Sequence, residues 1–139
     1  MSRPSSYQVF DDPRSAWEFL TQSSDDAFEW QHFDRKEVGR PGTLLKNALG
    51  NIREHITKTV SAFANSNNEG GLLVLGISSS GEVVGIDHLS EEQRNSITNL
   101  NVLLRNHAAE AKFYDCQDSN GNDKTLCLIY SALDRKSVV

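Results

Sequence analysis

Leu45, Leu49, Ile52, Ile56, Val60 and Phe63 recur at spacings of three and four, the repeat of one helix face. With Thr43 as its N-cap, the stretch to about Asn65 predicts a long helix with a core-facing stripe, and Lys46, Arg53 and Lys58 fall off that stripe. The run GLLVLGI, Gly71 to Ile77, is apolar without alternation, which predicts a strand buried on both faces. Ser78 to Gly81 then turns the chain, and Glu82 to Ile86 predicts a returning strand. Ser90 followed by Glu92 and Gln93 near the third helical position has the form of a capping box. It opens a second helix to about His107, with Ile97, Leu100, Val102, Leu103 and Leu104 on its apolar side. Lys112–Gln117 and Lys124–Ser131 predict two strands joined at Asn120-Gly121, a hairpin dipeptide. Upstream, Ser15–Gln22 predicts a short helix with Trp17 and Leu20 on one side, Phe28–Lys36 a strand or a turn into one, and Val38–Gly42 a loop. The resulting fold class is α+β, a mostly antiparallel sheet with a long helix and a second helix packed on it.

At 139 residues the chain accommodates one domain, and 37% apolar with 24% charged residues places it among globular proteins. No window reaches the ~18 apolar residues of a spanning helix, and MSRPSSYQVFDD has no apolar signal core. The expectation is a cytoplasmic protein with no membrane association. Cys116 and Cys127 fall on neighbouring strands and are expected as free thiols in such a setting. Without a CxxC or HxxxH partner they are no metal site. The isolated His32, His55, His88 and His107 share no spacing and read as ordinary hydrogen-bonding histidines. Trp17 and Trp30 could stack on bases, but core or interface packing is the preferred reading for both.

The net charge of −5 is segregated: residues 1–34 sum to −5, residues 35–65 to +4 and residues 66–139 to −4. A local basic surface attracts phosphate even on an acidic protein, because exposed charges are screened beyond roughly 8–10 Å. The glycines of NNEGGLLVLGI do not make a nucleotide cradle. No GxxxxGK[ST] or GxGxxG is present, and Gly70-Gly71 lead into a strand instead of opening a helix. They are expected to let the chain leave the long helix at positive φ and to allow close packing where the strand begins.

Taken together, FEWQHFDRK, a long helix ending AFANS, EGGLLVLGI and a short glycine turn before EVVGI resemble the Schlafen/AlbA-type DNA-binding domain family from about Glu29 to Ile86. The resemblance implies a domain over residues 28–139, part of a longer protein, behind an N-terminal extension, residues 1–27, that carries the short helix. It implies nucleic-acid binding, in the setting of a transcriptional regulator. The basic residues that would meet phosphates are Arg35, Lys36, Arg40, Lys46, Arg53 and Lys58. A competing reading pairs Arg35 and Lys36 with Glu29, Asp34 or Glu37. The alternative function implied by animal relatives is a metal-dependent RNA endonuclease with a three-carboxylate site, whose first two acids fall on Glu29 and Asp34. Where relatives carry the third, this chain reads Ser78-Ser79-Ser80, and neutral hydroxyls are poor ligands for Mg²⁺. No catalytic residue and no metal ligand is therefore assigned, and Mg or Mn enters as a cofactor only with the nuclease reading. The link Ser66-Asn67-Asn68-Glu69 is also about two residues longer than usual. A third reading is a homo-oligomerisation or protein-interaction module that uses an exposed strand edge.

Overall fold

The apolar run at Gly71–Leu75 becomes the central strand, buried at every position, in a computed structural model that describes residues 5–23, 32–40, 45–66, 70–99 and 109–131, with only the backbone of 45–48 and 64–66. Along these residues run α1 (Ser6–Asp11), a 3-10 turn (Pro13–Ala16), α2 (Trp17–Leu20), β1 (Phe33–Lys36), α3 (Leu45–Ser66), β2 (Gly71–Leu75), α4 (Glu91–Thr98), β3 (Ala109–Gln117) and β4 (Asp123–Ser131). The sheet order is β1-β2-β4-β3. β1 lies parallel to β2, and the β2–β4 and β3–β4 ladders are antiparallel. This is the expected α+β class.

Period-two alternation divides β2 between two cores. Leu73 and Leu75 face the α3 side, where Leu49, Ile52, Ile56, Val60 and Phe63 supply the predicted helical stripe and Ile97 of α4 joins them. Leu72 and Val74 face the opposite layer and meet Val9, Phe10 and Leu20. Residues 5–23 thus close one face of the sheet. α1 was absent from the sequence reading, although Ser5 and Gln8 make the same reciprocal capping box that Ser90 and Gln93 make at α4. The predicted helix at Ser15–Gln22 divides into the 3-10 turn, with Pro13 at its start, and α2.

The glycine pair acts as expected. Gly70 has φ 78°, and a Cβ on Gly71 would meet the Phe63 ring at 2.2 Å, so α3 and the start of β2 pack too closely for any side chain there.

Two expectations need correction. Glu82–Ile86 does not return as a strand. Only an Ile77–Val83 bridge forms, because Gly76 O takes both Val84 N and Gly85 N at 2.8 Å and Gly85 turns to φ 78°. α4 stops at Thr98, where Asn99 leaves the helical region at ψ 74°. Leu100, Val102, Leu103, Leu104 and His107 lie outside the described residues, as does the Thr43 cap. The predicted hairpin forms around Asn120-Gly121, with a turn longer than the two-residue kind, which needs positive φ at both central residues. Gly121 N donates to Asp118 O (3.0 Å) and Asp118 N to Asn122 O (2.9 Å), with positive φ at Gly121 and at no described non-glycine residue.

Both cysteines are free thiols. Cys127 packs in the α3-side core and Cys116 beside the opposite one, so the sheet separates them.

Candidate nucleic-acid interface

The alternation of β1 decides where the predicted basic residues go. Phe33 and Arg35 turn towards α1 and α2, while Asp34 and Lys36 turn towards α3. Arg35 is 4% exposed. Its guanidinium donates to Leu20 O at 2.9 Å and to Ser79 O at 2.8 Å, tying the end of α2 to the serine turn. The same junction explains a glycine: a Cβ on Gly81 would meet Thr21 O and Gln22 O at 2.4 Å. Arg35 is therefore a structural clasp inside the protein, and its predicted place on a phosphate-binding surface is corrected by its burial. Two of its acceptors are backbone carbonyls.

The other basic residues separate by their partners. Arg40 is exposed, and donates through Nε to Glu37 at 2.7 Å and through Nη1 and Nη2 to Glu82 at 2.9 and 3.2 Å. Glu82 first and Glu37 second hold its guanidinium above the usual range, so Arg40 comes to a phosphate already neutralised. Lys58 pairs with Glu54 at 3.1 Å one helical turn back, an exposed pair of the kind worth at most about 1 kcal/mol. Lys36 and Arg53 are exposed, and among the described residues neither makes an ion pair. The side chain of Lys46 lies outside the described residues. A helical repeat of about 100° per residue puts Arg53 and Lys58 on different flanks of α3, so the basic segment is not one continuous patch.

A close polar contact on the α3 side was not expected. His55 Nε2 lies 2.5 Å from Asp34 Oδ2, with the two side chains 32% and 30% exposed. His55 borders the buried stripe at Ile52 and Ile56 on the flank that faces β1, and Asp34 occupies the β1 position that alternation points at α3. Set aside as isolated in the sequence, His55 is 21 residues from Asp34, and only the parallel β1–α3–β2 arrangement brings the two together. The other described histidines bond to backbone: His88 Nε2 to Val38 O at 2.7 Å and His32 Nδ1 to Gly70 O at 3.2 Å.

Glu29, the second carboxylate of the nuclease reading, lies outside the described residues. The serine turn is closed by its own hydroxyls. Ser78 Oγ contacts Ser80 Oγ at 2.9 Å and accepts Glu82 N at 3.1 Å, while Ser79 and Ser80 are exposed. Among the described residues no group of three or more His, Cys, Asp or Glu side chains could hold a metal ion. A cleft of about 770 Å³ lies elsewhere, between the 3-10 turn with α2 and the β3–β4 hairpin, lined among others by Arg14, Trp17, Tyr114, Cys116 and Lys124. It includes none of the residues singled out for binding.

The family model described as Schlafen, AlbA_2 matches residues 29–136. The chain belongs to this family. In this Schlafen, AlbA_2 domain the match includes β1, α3, β2, α4 and the hairpin, and leaves out α1, the 3-10 turn and α2, which close the sheet's second face. No curated protein matches the chain. Among the described residues no helix is long and apolar enough to cross a membrane.

Proposed function

We propose that this Schlafen, AlbA_2 domain is a nucleic-acid-binding module that meets the phosphate backbone with Lys36 and Arg53 first and Lys58 second. The observation that carries the reading is the sorting of the basic segment. Arg35 is enclosed and Arg40 is matched by two carboxylates, whereas Lys36 and Arg53 stand exposed with no ion pair among the described residues. Two or three phosphate contacts give a salt slope of about −2 to −3 on duplex DNA, at roughly −0.9 per neutralised phosphate. Binding of this kind needs no cofactor and is weakly sequence-dependent, because phosphate contacts position the protein and carry no base information. DNA binding within a cytoplasmic transcriptional regulator is the finer form of the same proposal. Titrating short DNA and RNA duplexes and single strands at low and moderate salt tests it. Affinity that falls with salt supports the reading, and no measurable binding at low salt removes it.

The Asp34–His55 contact favours a second reading, RNA cleavage, since a histidine held by a carboxylate is suited to proton transfer. The metal-dependent form would draw on Glu29 with Asp34. Incubation of the protein with tRNA, with and without Mg²⁺ or Mn²⁺, separates the two. Intact tRNA at high protein concentration under every condition eliminates cleavage.

A further inference from the structure

From the free edge of the sheet we infer that a second copy of this chain pairs with β3, antiparallel and centred on Phe113, to make one continuous eight-stranded sheet. Among the described residues β3 is the outermost strand beyond β4, and it runs nine residues without a break in register. The direction of its free backbone groups follows from its neighbour. Thr125 N donates to Asp87 Oδ2 and Thr125 O accepts Ile86 N, both at 2.8 Å, so the backbone of Thr125 points away from β3. Asp115, its partner across the ladder, must then point outward as well, because residues opposite one another in an antiparallel pair point together or apart in alternation. Ala109, Ala111, Phe113, Asp115 and Gln117 therefore present their N–H and C=O groups along the free edge.

Natural sheets blunt such an edge with prolines, bulges or charges that guard it. β3 has no proline and no bulge, and two of its charges are drawn back over the sheet. Lys112 Nζ lies 4.7 Å from the centroid of the Phe10 ring and 3.4 Å from Asp11 O, and Asp115 Oδ1 accepts the Thr125 hydroxyl at 3.2 Å. At the middle of the strand an apolar side chain stands exposed instead. Among the described residues the exposed large hydrophobic side chains are Tyr7 at 55% and Phe113 at 49%. Phe113 is the midpoint of β3 and shares the α3 face with its partner Cys127, whereas Tyr7 packs edge-on against Tyr130 at 5.5 Å on the opposite face.

Self-pairing selects the register. A two-fold axis at Phe113 engages all nine residues and sets Phe113 against Phe113 of the second copy, Ala111 against Asp115 and Ala109 against Gln117 as hydrogen-bonded pairs. Between them Lys112 falls opposite Tyr114 and Glu110 opposite Cys116, so no like charges meet. An axis at Lys112 would set lysine against lysine, which is unfavourable. An axis at Ala111 matches Glu110 with Lys112 but engages only residues 109–113.

Sedimentation of the 139-residue chain over a wide protein concentration range tests the inference, with the mass expected to rise to twice the monomer value. Phe113→Lys is expected to remain monomeric with unchanged circular dichroism, since the position is exposed. Hydrogen-bonded partners sit about 5.5 Å apart at Cα, within disulfide reach. Mild oxidation should therefore link Phe113→Cys to itself, and Ala111→Cys to Asp115→Cys in a mixture but not to itself. A chain that stays monomeric at every concentration overturns the inference. A dimer that survives Phe113→Lys, or one that Ala111→Cys links to itself while Phe113→Cys does not, overturns it equally.

Discussion

Arg35 and Lys36 follow one another in β1, and their side chains leave the sheet on opposite faces. The Arg35 guanidinium satisfies Leu20 O and Ser79 O in a buried site. Replacing it with alanine leaves those carbonyls without this donor, at about 1–3 kcal/mol for each buried group left unsatisfied. Arg35→Ala is therefore expected to lower unfolding free energy by roughly 2–4 kcal/mol in denaturant titration. Lys36→Ala at an exposed position should stay within about 0.5 kcal/mol of the parent. The thiols give a second expectation. Burial pushes Cys116 from 9.0 up to about 11 and Cys127 up to about 12, and at Cys116 the carboxylates of Asp87, Asp115 and Asp118 add to that shift. The folded state holds these protons more tightly than the unfolded chain, so this stability is complete below pH 9.0 and declines as pH rises towards 11 and 12. Burial of Tyr114 and Tyr130 acts in the same direction. Melting temperatures measured from pH 8 upward should fall through that window, and a flat profile would contradict it. The sequence made Arg35 a candidate because a basic segment was read as a surface; the period of a strand, applied to FDRK, separates Arg35 from Lys36. The Asp34–His55 contact had no such local signal.

At the level of elements, caps and close packing carry the predictions. Ser5 and Ser90 each accept a backbone N–H at the hydroxyl and donate their own backbone N–H to the Oε1 of Gln8 or Gln93. Serine-to-alanine at either cap should cost about 1 kcal/mol, and the two costs should add because α1 and α4 pack on opposite faces. Gly71→Ala forces a methyl group into the Phe63 ring, and an overpacked core position of this kind costs roughly 1–3 kcal/mol. Chemical denaturation of the variants checks both, and an unaltered Gly71→Ala would sink the close-approach account. The long helix and β2 were legible in sequence because their apolar patterns are long and unambiguous. The six residues of α1 give little periodicity, although its capping box is as plain as that of α4. The apolar pattern of Glu82–Ile86 suggests a strand, but Gly85, at positive φ, interrupts the extended backbone within it.

For the whole molecule, the layer formed by residues 5–23 closes the second face of the sheet. Val9, Phe10 and Leu20 are buried against the sheet, and each side chain of this size contributes roughly 1.5–3 kcal/mol when enclosed. Three such residues rival much of the ~5–15 kcal/mol that holds a domain together. Deleting residues 1–23 also removes Leu20 O from Arg35. The truncated chain is expected to lose its cooperative melting transition and to bind a hydrophobic dye, and retention of a sharp transition at the original temperature would show that the layer is dispensable. The family was legible from motifs within residues 29–86, while this layer was not, since its contacts with the sheet join residues far apart in sequence.

The salt dependence of nucleic-acid affinity, compared between the parent chain and Lys36→Ala/Arg53→Ala, tests the central claim most directly. The parent should show a slope of about −2 to −3 on duplex DNA, and the double variant should lose close to 2 of it at roughly 0.9 per phosphate contact, with its stability unchanged. A double variant that keeps the parent slope and affinity would contradict the assignment of Lys36 and Arg53 to the phosphate backbone.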